Sequence, residues 1–311
     1  MEFNSVALLL TENCNAHCKM CCDSRGMVKG YTLTSEEIDM ILKNIKECSE
    51  ICDIGITGGE PLLYSELIDQ IMNFDYGRDV SISIKTNGFW GKDYIKAKEI
   101  IEKYKDKLST ISLSYDEFHM EFINVECIKN IIMIAKDYNI KTDVVGCFLK
   151  GGMSPGEILN MLGESAYYTK FCYQPVISTG SGGLFPKDTY IKLLDSSEES
   201  LKCVSTVSPV LLINPKMQVY PCCSQVIENT ILEVGNLKES NLHEIILDIK
   251  QNYILNEIFT EGFDSFKELL NELEIEYPKE LASPCEFCEF LFKDDWFLKL
   301  IYSRGYYENL Y

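Results

Sequence analysis

Residues 6–21 read V-A-L-L-L-T-E-N-C-N-A-H-C-K-M-C. A short apolar run, Val6 to Leu10, passes without a helical pattern into a loop that presents Cys14, Cys18 and Cys21 at C-x3-C-x2-C spacing. The run is a strand and the thiols sit just past its carboxyl end. The same arrangement, a short strand followed by polar residues, recurs at Cys52 to Thr57, Val80 to Lys85, Thr110 to Tyr115, Lys141 to Cys147 and Lys170 to Ile177. Helical patterns lie between the strands. Thr34 and Glu37 make a capping box ahead of Ile38, Ile41 and Ile45, and Ser154, Pro155 and Glu157 repeat that start signal. Tyr94, Ala97, Ile101, Tyr104 and Leu108 mark one face of a third helix. Six such β-α units predict an α/β fold, a parallel sheet curling into an open, TIM-like partial (β/α)6 barrel with its chemistry at the carboxyl ends of the strands.

The regular alternation stops after Gly180. Gly182, Gly183, Pro186 and Asp188 mark a loop. A hairpin is expected around Val210 to Tyr220, helices from Leu242 to about Leu273, and a final C-x2-C at Cys285 and Cys288. The expected boundary lies near residue 190, giving domains 1–190 and 191–311. The Gly180 to Gly183 loop lacks the Gly-Lys-Ser/Thr ending of a phosphate loop.

Composition narrows the chemistry. The 311 residues carry 48 acidic and 29 basic side chains, a net charge of -19, which disfavours nucleic acid and anionic membrane surfaces as partners. Apolar runs stay far below the roughly 18 residues of a membrane span, and no export leader is evident, so a cytoplasmic protein is expected. In a reducing compartment, 14 cysteines point to metal or cofactor chemistry more than to disulfides. Three thiolates after a first strand can hold three irons of a [4Fe-4S] cubane and leave the fourth open, whereas a structural zinc site needs four closed ligands.

The cysteine loop, together with T-G-G-E-P at Thr57 to Pro61 and T-N-G at Thr86 to Gly88, resembles the radical SAM superfamily. The resemblance implies that the open iron is chelated by S-adenosylmethionine, which is cleaved reductively to a 5'-deoxyadenosyl radical. It also implies that Gly58, Gly59 and Glu60 meet the methionine amino group, with Asn87 and Ser114 as further cofactor contacts. Met20 stands where the family most often has an aromatic residue. Thr86, Asp116 and His119 lie in the same strand-end segments and read equally as turn or supporting residues.

Beyond the boundary, Cys203, Cys222, Cys285 and Cys288, with V-G-N-L at Val234 to Leu237, resemble the twitch domain, a shortened SPASM extension. That resemblance implies a small α+β domain with a second, fully ligated [4Fe-4S] cluster, four thiolates closing it. Cys222 and Cys223 are adjacent, and neighbouring side chains of an extended segment point to opposite faces, so one thiol is left over. The strings T-N-G-F-W-G, S-Y-D-E-F-H, Y-P-C-C-S and E-G-F, with the final C-x2-C, are similar to those of radical SAM peptide epimerases of the bacillus type. This implies an enzyme that converts L- to D-residues in a ribosomally made precursor peptide, with Cys222 as ligand and Cys223 returning a hydrogen atom. The electron donor would be a flavodoxin or ferredoxin. The stretch from Val204 to Pro221 matches that subgroup poorly. The competing readings are a peptide crosslinking enzyme, a twitch-type alcohol dehydrogenase and a non-enzymatic iron-sulfur electron carrier. The remaining thiols, Cys22, Cys48, Cys52, Cys127, Cys147 and Cys172, are expected to be packing residues.

Overall fold

A computed structural model describes residues 2–22, 30–198 and 200–303, so Met1 and residues 304–311 of the two expected domains lie outside the described residues. Six strands, β1 (Ser5–Leu9), β2 (Asp53–Thr57), β3 (Ser81–Thr86), β4 (Leu108–Ser114), β5 (Lys141–Phe148) and β6 (Lys170–Pro175), pair in parallel and in chain order. Helices connect the first five crossovers: α1 (Ser35–Glu47), α2 (Ser65–Asn73), α3 (Tyr94–Tyr104), α4 (Val125–Asp137) and α5 (Pro155–Leu162). Among the described residues the β6 edge pairs with no other strand, so the sheet does not close into a full barrel there.

Both predicted capping boxes form: Thr34 and Ser154 each accept from the backbone of a glutamate three residues on, whose carboxylate accepts from the cap. Behind the first cap, Ile38, Ile41, Leu42 and Ile45 are fully buried, each worth about 1.5–3 kcal/mol relative to exposure. The third helix differs in extent from its predicted face. Tyr94 is exposed at its start, and Leu108 opens β4, because the irregular register between Ile82 and Ser83 lets β4 begin two residues earlier than its β-branched run suggests.

The two faces of the sheet differ in character. Ile54, Ile56, Ile82, Ile84, Ile111 and Leu113 point outward and are buried under the helices. Inward, one layer across β1 to β4 reads Ala7, Gly55, Ser83 and Thr110, which pair in register. Barrels of this kind usually fill their interior with bulky branched residues. Here the layer is made of small side chains, and a Cβ on Gly55 would meet no atom closer than Ser83 Oγ at 3.5 Å.

The sheet continues beyond residue 190. After a two-residue strand β7 (Leu194–Asp195), strand β8 (Val210–Ile213) pairs in parallel with β1. It then turns through a hairpin to β9 (Gln218–Tyr220), which carries β10 (Gly235–Asn236). Three helices follow, α6 (Leu242–Gln251), α7 (Tyr253–Thr260) and α8 (Asp264–Glu272), in the expected span. Strand β11 (Glu280–Leu281) pairs with β7, and α9 (Pro284–Phe292) and α10 (Trp296–Ser303) complete the described chain. No helix among the described residues is long and apolar enough to cross a membrane.

Candidate active site

The loop after β1 is held by the turn after β2. Gly59 N–H donates to the Thr11 carbonyl at 2.6 Å and Glu60 N–H to the Asn13 carbonyl at 2.8 Å. A Cβ on Gly58 would stand 2.6 Å from the Thr11 oxygen, and one on Gly59 would stand 2.2 Å from the Asn13 oxygen. Only glycine permits that approach, so the pair is required by chain packing alone. From the other side, Gly182 N–H donates to the Cys21 carbonyl, and a Cβ on Gly180 would meet the Cys22 oxygen at 2.2 Å. The glycine loop that follows β6 is therefore a buttress for the cysteine loop.

Cys14, Cys18 and Cys21 line a cavity of about 190 Å3 at the carboxyl ends of the strands. Gly58, Gly59, Asn87 and Ser114 line it too, so seven of the predicted site residues meet there. Burial pushes the Cys14 and Cys18 thiols up. Among the described residues no three His, Cys, Asp or Glu side chains converge closely enough to hold a single metal ion. Three thiols beside free space fit an iron-sulfur cube with one open iron, whereas a structural zinc needs four protein ligands.

Glu60 is placed differently from its neighbours. Its carboxylate is fully buried and accepts from Leu62 N–H at 3.0 Å, Thr86 Oγ1 at 2.8 Å and Asn87 N–H at 2.8 Å. Burial raises it to about 7 against these hydrogen bonds, which favour the charged form. It is absent from the cavity wall and joins the end of β2 to the turn after β3. Asn87, fixed in this way, extends its side-chain amide to Asn15 at 2.8 Å and towards Cys14 Sγ at 3.9 Å.

Several residues on the wall or supporting it carry no strong sequence signal. Asp116 is fully buried and accepts from the backbone N–H of Phe118, His119 and Cys147, while its Oδ1 lies 2.8 Å from His119 Nδ1. His119 is thereby oriented on the cavity wall. Cys22 and Cys147, expected as packing residues, also line the cavity, and burial pushes the Cys147 thiol up to about 12. Cys48 and Cys127 are buried in the core, and Cys52 is exposed. The D-x-x-H spacing and the inward position of Cys147 on β5 are the signals that point to these residues.

A second thiol site lies across the sheet. Cys203, Cys222, Cys285 and Cys288 line one small apolar cavity together with Phe263, Pro284, Val226 and Ile227. Burial pushes Cys203, Cys222 and Cys288 up, and the other thiols of the group add to the effect at each. Four sulfur donors in a dry pocket match a closed iron-sulfur site. Cys222 is buried in this wall, whereas Cys223 is exposed and lines neither cavity. Burial pushes its thiol up, while the Lys85 ammonium opposes that shift. Lys85 and Gln225, two residues beyond Cys223, both line the first cavity.

The sequence profile of the radical SAM superfamily matches residues 8–164, half of the chain. The chain is 28% identical over 322 aligned positions to YydG of Bacillus subtilis, whose name assigns it to peptide biosynthesis, covering all of this chain and 98% of that one. It is 30% identical over 179 positions to a GTP 3',8-cyclase of Limosilactobacillus fermentum, covering 53% of this chain and 50% of that protein. Among solved structures, anSMEcpe with bound AdoMet and the Cp18Cys peptide aligns with a TM-score of 0.56 at 14% identity, over 96% of this chain and 97% of that one. Streptococcus suis SuiB bound to the precursor peptide SuiA aligns with a TM-score of 0.59 at 14% identity, over 83% of this chain and 67% of SuiB. These likenesses bear out the fold, an open α/β barrel of the radical SAM kind.

Proposed function

Because the chain belongs to the radical SAM superfamily, we propose that it is a peptide-modifying radical SAM enzyme, and specifically an epimerase that converts L- to D-residues in a ribosomally made precursor peptide. Its likeness along the full length to a protein named for peptide biosynthesis supports the substrate class. Cys14, Cys18 and Cys21 would hold a [4Fe-4S] cluster. Gly58, Gly59, Asn87 and Ser114 would line the place of S-adenosylmethionine, with Glu60 acting through Asn87. Cys203, Cys222, Cys285 and Cys288 would hold a second cluster in the 191–311 domain. When bound, the first cluster and S-adenosylmethionine supply reductive cleavage and removal of a hydrogen atom from the peptide.

The observation that carries the epimerase reading is the parting of two adjacent thiols. Cys222 turns into the four-thiol cavity and Cys223 turns out of it, on the side of Lys85. A planar α-carbon radical keeps no memory of its configuration, so the hand of the product is set by where the hydrogen donor stands. Cys223 Sγ holds a transferable hydrogen atom. Once given, it must be restored by one electron and one proton, the electron from a donor of the flavodoxin or ferredoxin class. Crosslinking or alcohol oxidation needs no such thiol.

The test is anaerobic turnover in deuterated water with short peptides translated from open reading frames neighbouring the gene. Epimerisation leaves one deuterium per inverted carbon and a D-residue on hydrolysis. A product lighter by two hydrogens would replace this reading with crosslinking, and no cleavage of S-adenosylmethionine would leave an electron carrier.

A further inference from the structure

The cavity wall that holds the three thiols includes no aspartate or glutamate among the described residues, and Lys85 is its only lysine or arginine. This is notable in a chain of net charge -19. Lys85 sits on the inward side of β3, in register with Ser112 of β4, one position before the end of the strand. It is exposed into the open cavity and makes no hydrogen bond or ion pair with any described residue. Other lysines, such as Lys19, Lys103, Lys192 and Lys238, do find carboxylates. Cys147 lines the same cavity, and the Lys85 charge draws its thiol and that of Cys223 towards the charged form against their burial. Lys85 stands two residues beyond Ser83 of the small-residue layer formed with Ala7 and Gly55.

An ammonium without a counter-ion in a concave site is completed by a ligand that brings an anion. We propose that Lys85 is a specificity-determining residue that binds a carboxylate side chain of the peptide substrate, close in sequence to the residue that reacts beside Cys223. The acidic surface repels such peptides in general, so Lys85 supplies a local exception to the global charge. This inference rests on the peptide-substrate reading above and adds the chemistry of the recognised side chain.

The experiment uses the anaerobically reconstituted full chain with S-adenosylmethionine and a display library of random linear peptides. Wild type is expected to enrich Asp and Glu about fivefold over the input at one position of the captured pool, the factor of a single favourable ion pair. Lys85→Met loses that enrichment, Lys85→Arg keeps it, and Lys85→Glu replaces it with Lys and Arg. Affinity for S-adenosylmethionine, measured without peptide, stays within a factor of about two in Lys85→Met. If that affinity falls tenfold instead, Lys85 binds the carboxylate of the cosubstrate and the proposal is overturned. Equal residue preferences in wild type and Lys85→Met also overturn it while leaving the peptide-substrate reading intact. Capture of no peptide by wild type overturns both.

Discussion

The two thiol sites use the same atoms in opposite surroundings. At the first, three cysteines share the rim of a 190 Å3 cavity with Asn87, Ser114, His119 and Lys85, so polar groups and free space adjoin the sulfurs. At the second, four cysteines share a small apolar cavity with Phe263, Val226 and Ile227, and burial pushes the Cys288 thiol well up. Thiol count and the polarity of the surroundings vary together. A site with room and hydrogen-bond donors is built to receive a second molecule, and a site sealed by apolar side chains is built to exclude one.

The largest expected effect breaks the first site. Cys18→Ala should reduce cleavage of S-adenosylmethionine to background and leave about four irons per reconstituted chain in place of about eight, read by iron assay and product chromatography. A variant that still cleaves would show that the C-x3-C-x2-C trio is not where the chemistry starts.

That trio was legible because its spacing needs no tertiary information. The strand order was equally plain, since each strand end is punctuated by a glycine or a polar turn. Residues whose role depends on what lies across the lumen were not legible. Lys85 looks like any strand-end lysine, and Cys147 like any small core residue, until β3 and β5 are seen to face one cavity. Glu60 was read as a ligand-facing carboxylate from its place in T-G-G-E-P. The structure gives that carboxylate three donors from within the chain, a fact that depends on where the turn after β3 folds back.

Next in size is the substitution that separates the two sites from their product. Cys223→Ala should abolish D-residue formation and deuterium uptake while iron stays at about eight per chain. Cys223→Ser should fail too, because an O–H bond is far stronger than an S–H bond. Chiral amino-acid analysis of the peptide reads the result, and full D-residue yield from either variant would remove the donor role.

Cys288→Ala addresses the sealed site. Loss of the second cluster should leave about four irons and lower stability by about 3 kcal/mol, because metal binding and folding are coupled where ligands sit in an apolar pocket. Thermal melting of the reconstituted protein measures it. An unchanged Tm would mean that the aromatic enclosure stands without its metal.

The smallest effect belongs to Glu60. Glu60→Gln turns an acceptor into a donor against Leu62, Thr86 or Asn87 and should cost about 1–3 kcal/mol by denaturant melt. In wild type its pKa lies above the ordinary value, so the folded state binds the proton more tightly. The contribution of Glu60 to stability is then present below about pH 4.5 and is lost as pH rises to about 7. The wild-type minus Glu60→Gln difference, followed across that window, should slope downward with pH. A flat difference would show that the three hydrogen bonds cancel the burial.

Strand β8 is bonded to β1 on one side and to β9 on the other, and those flanking strands lead into Cys14 and Cys222. Because β9 runs antiparallel to β8, the chain leaves β1 and β9 at opposite ends of that ladder, and one strip of sheet carries both cysteine segments. A hinge between the halves of the molecule would have to unzip those rungs.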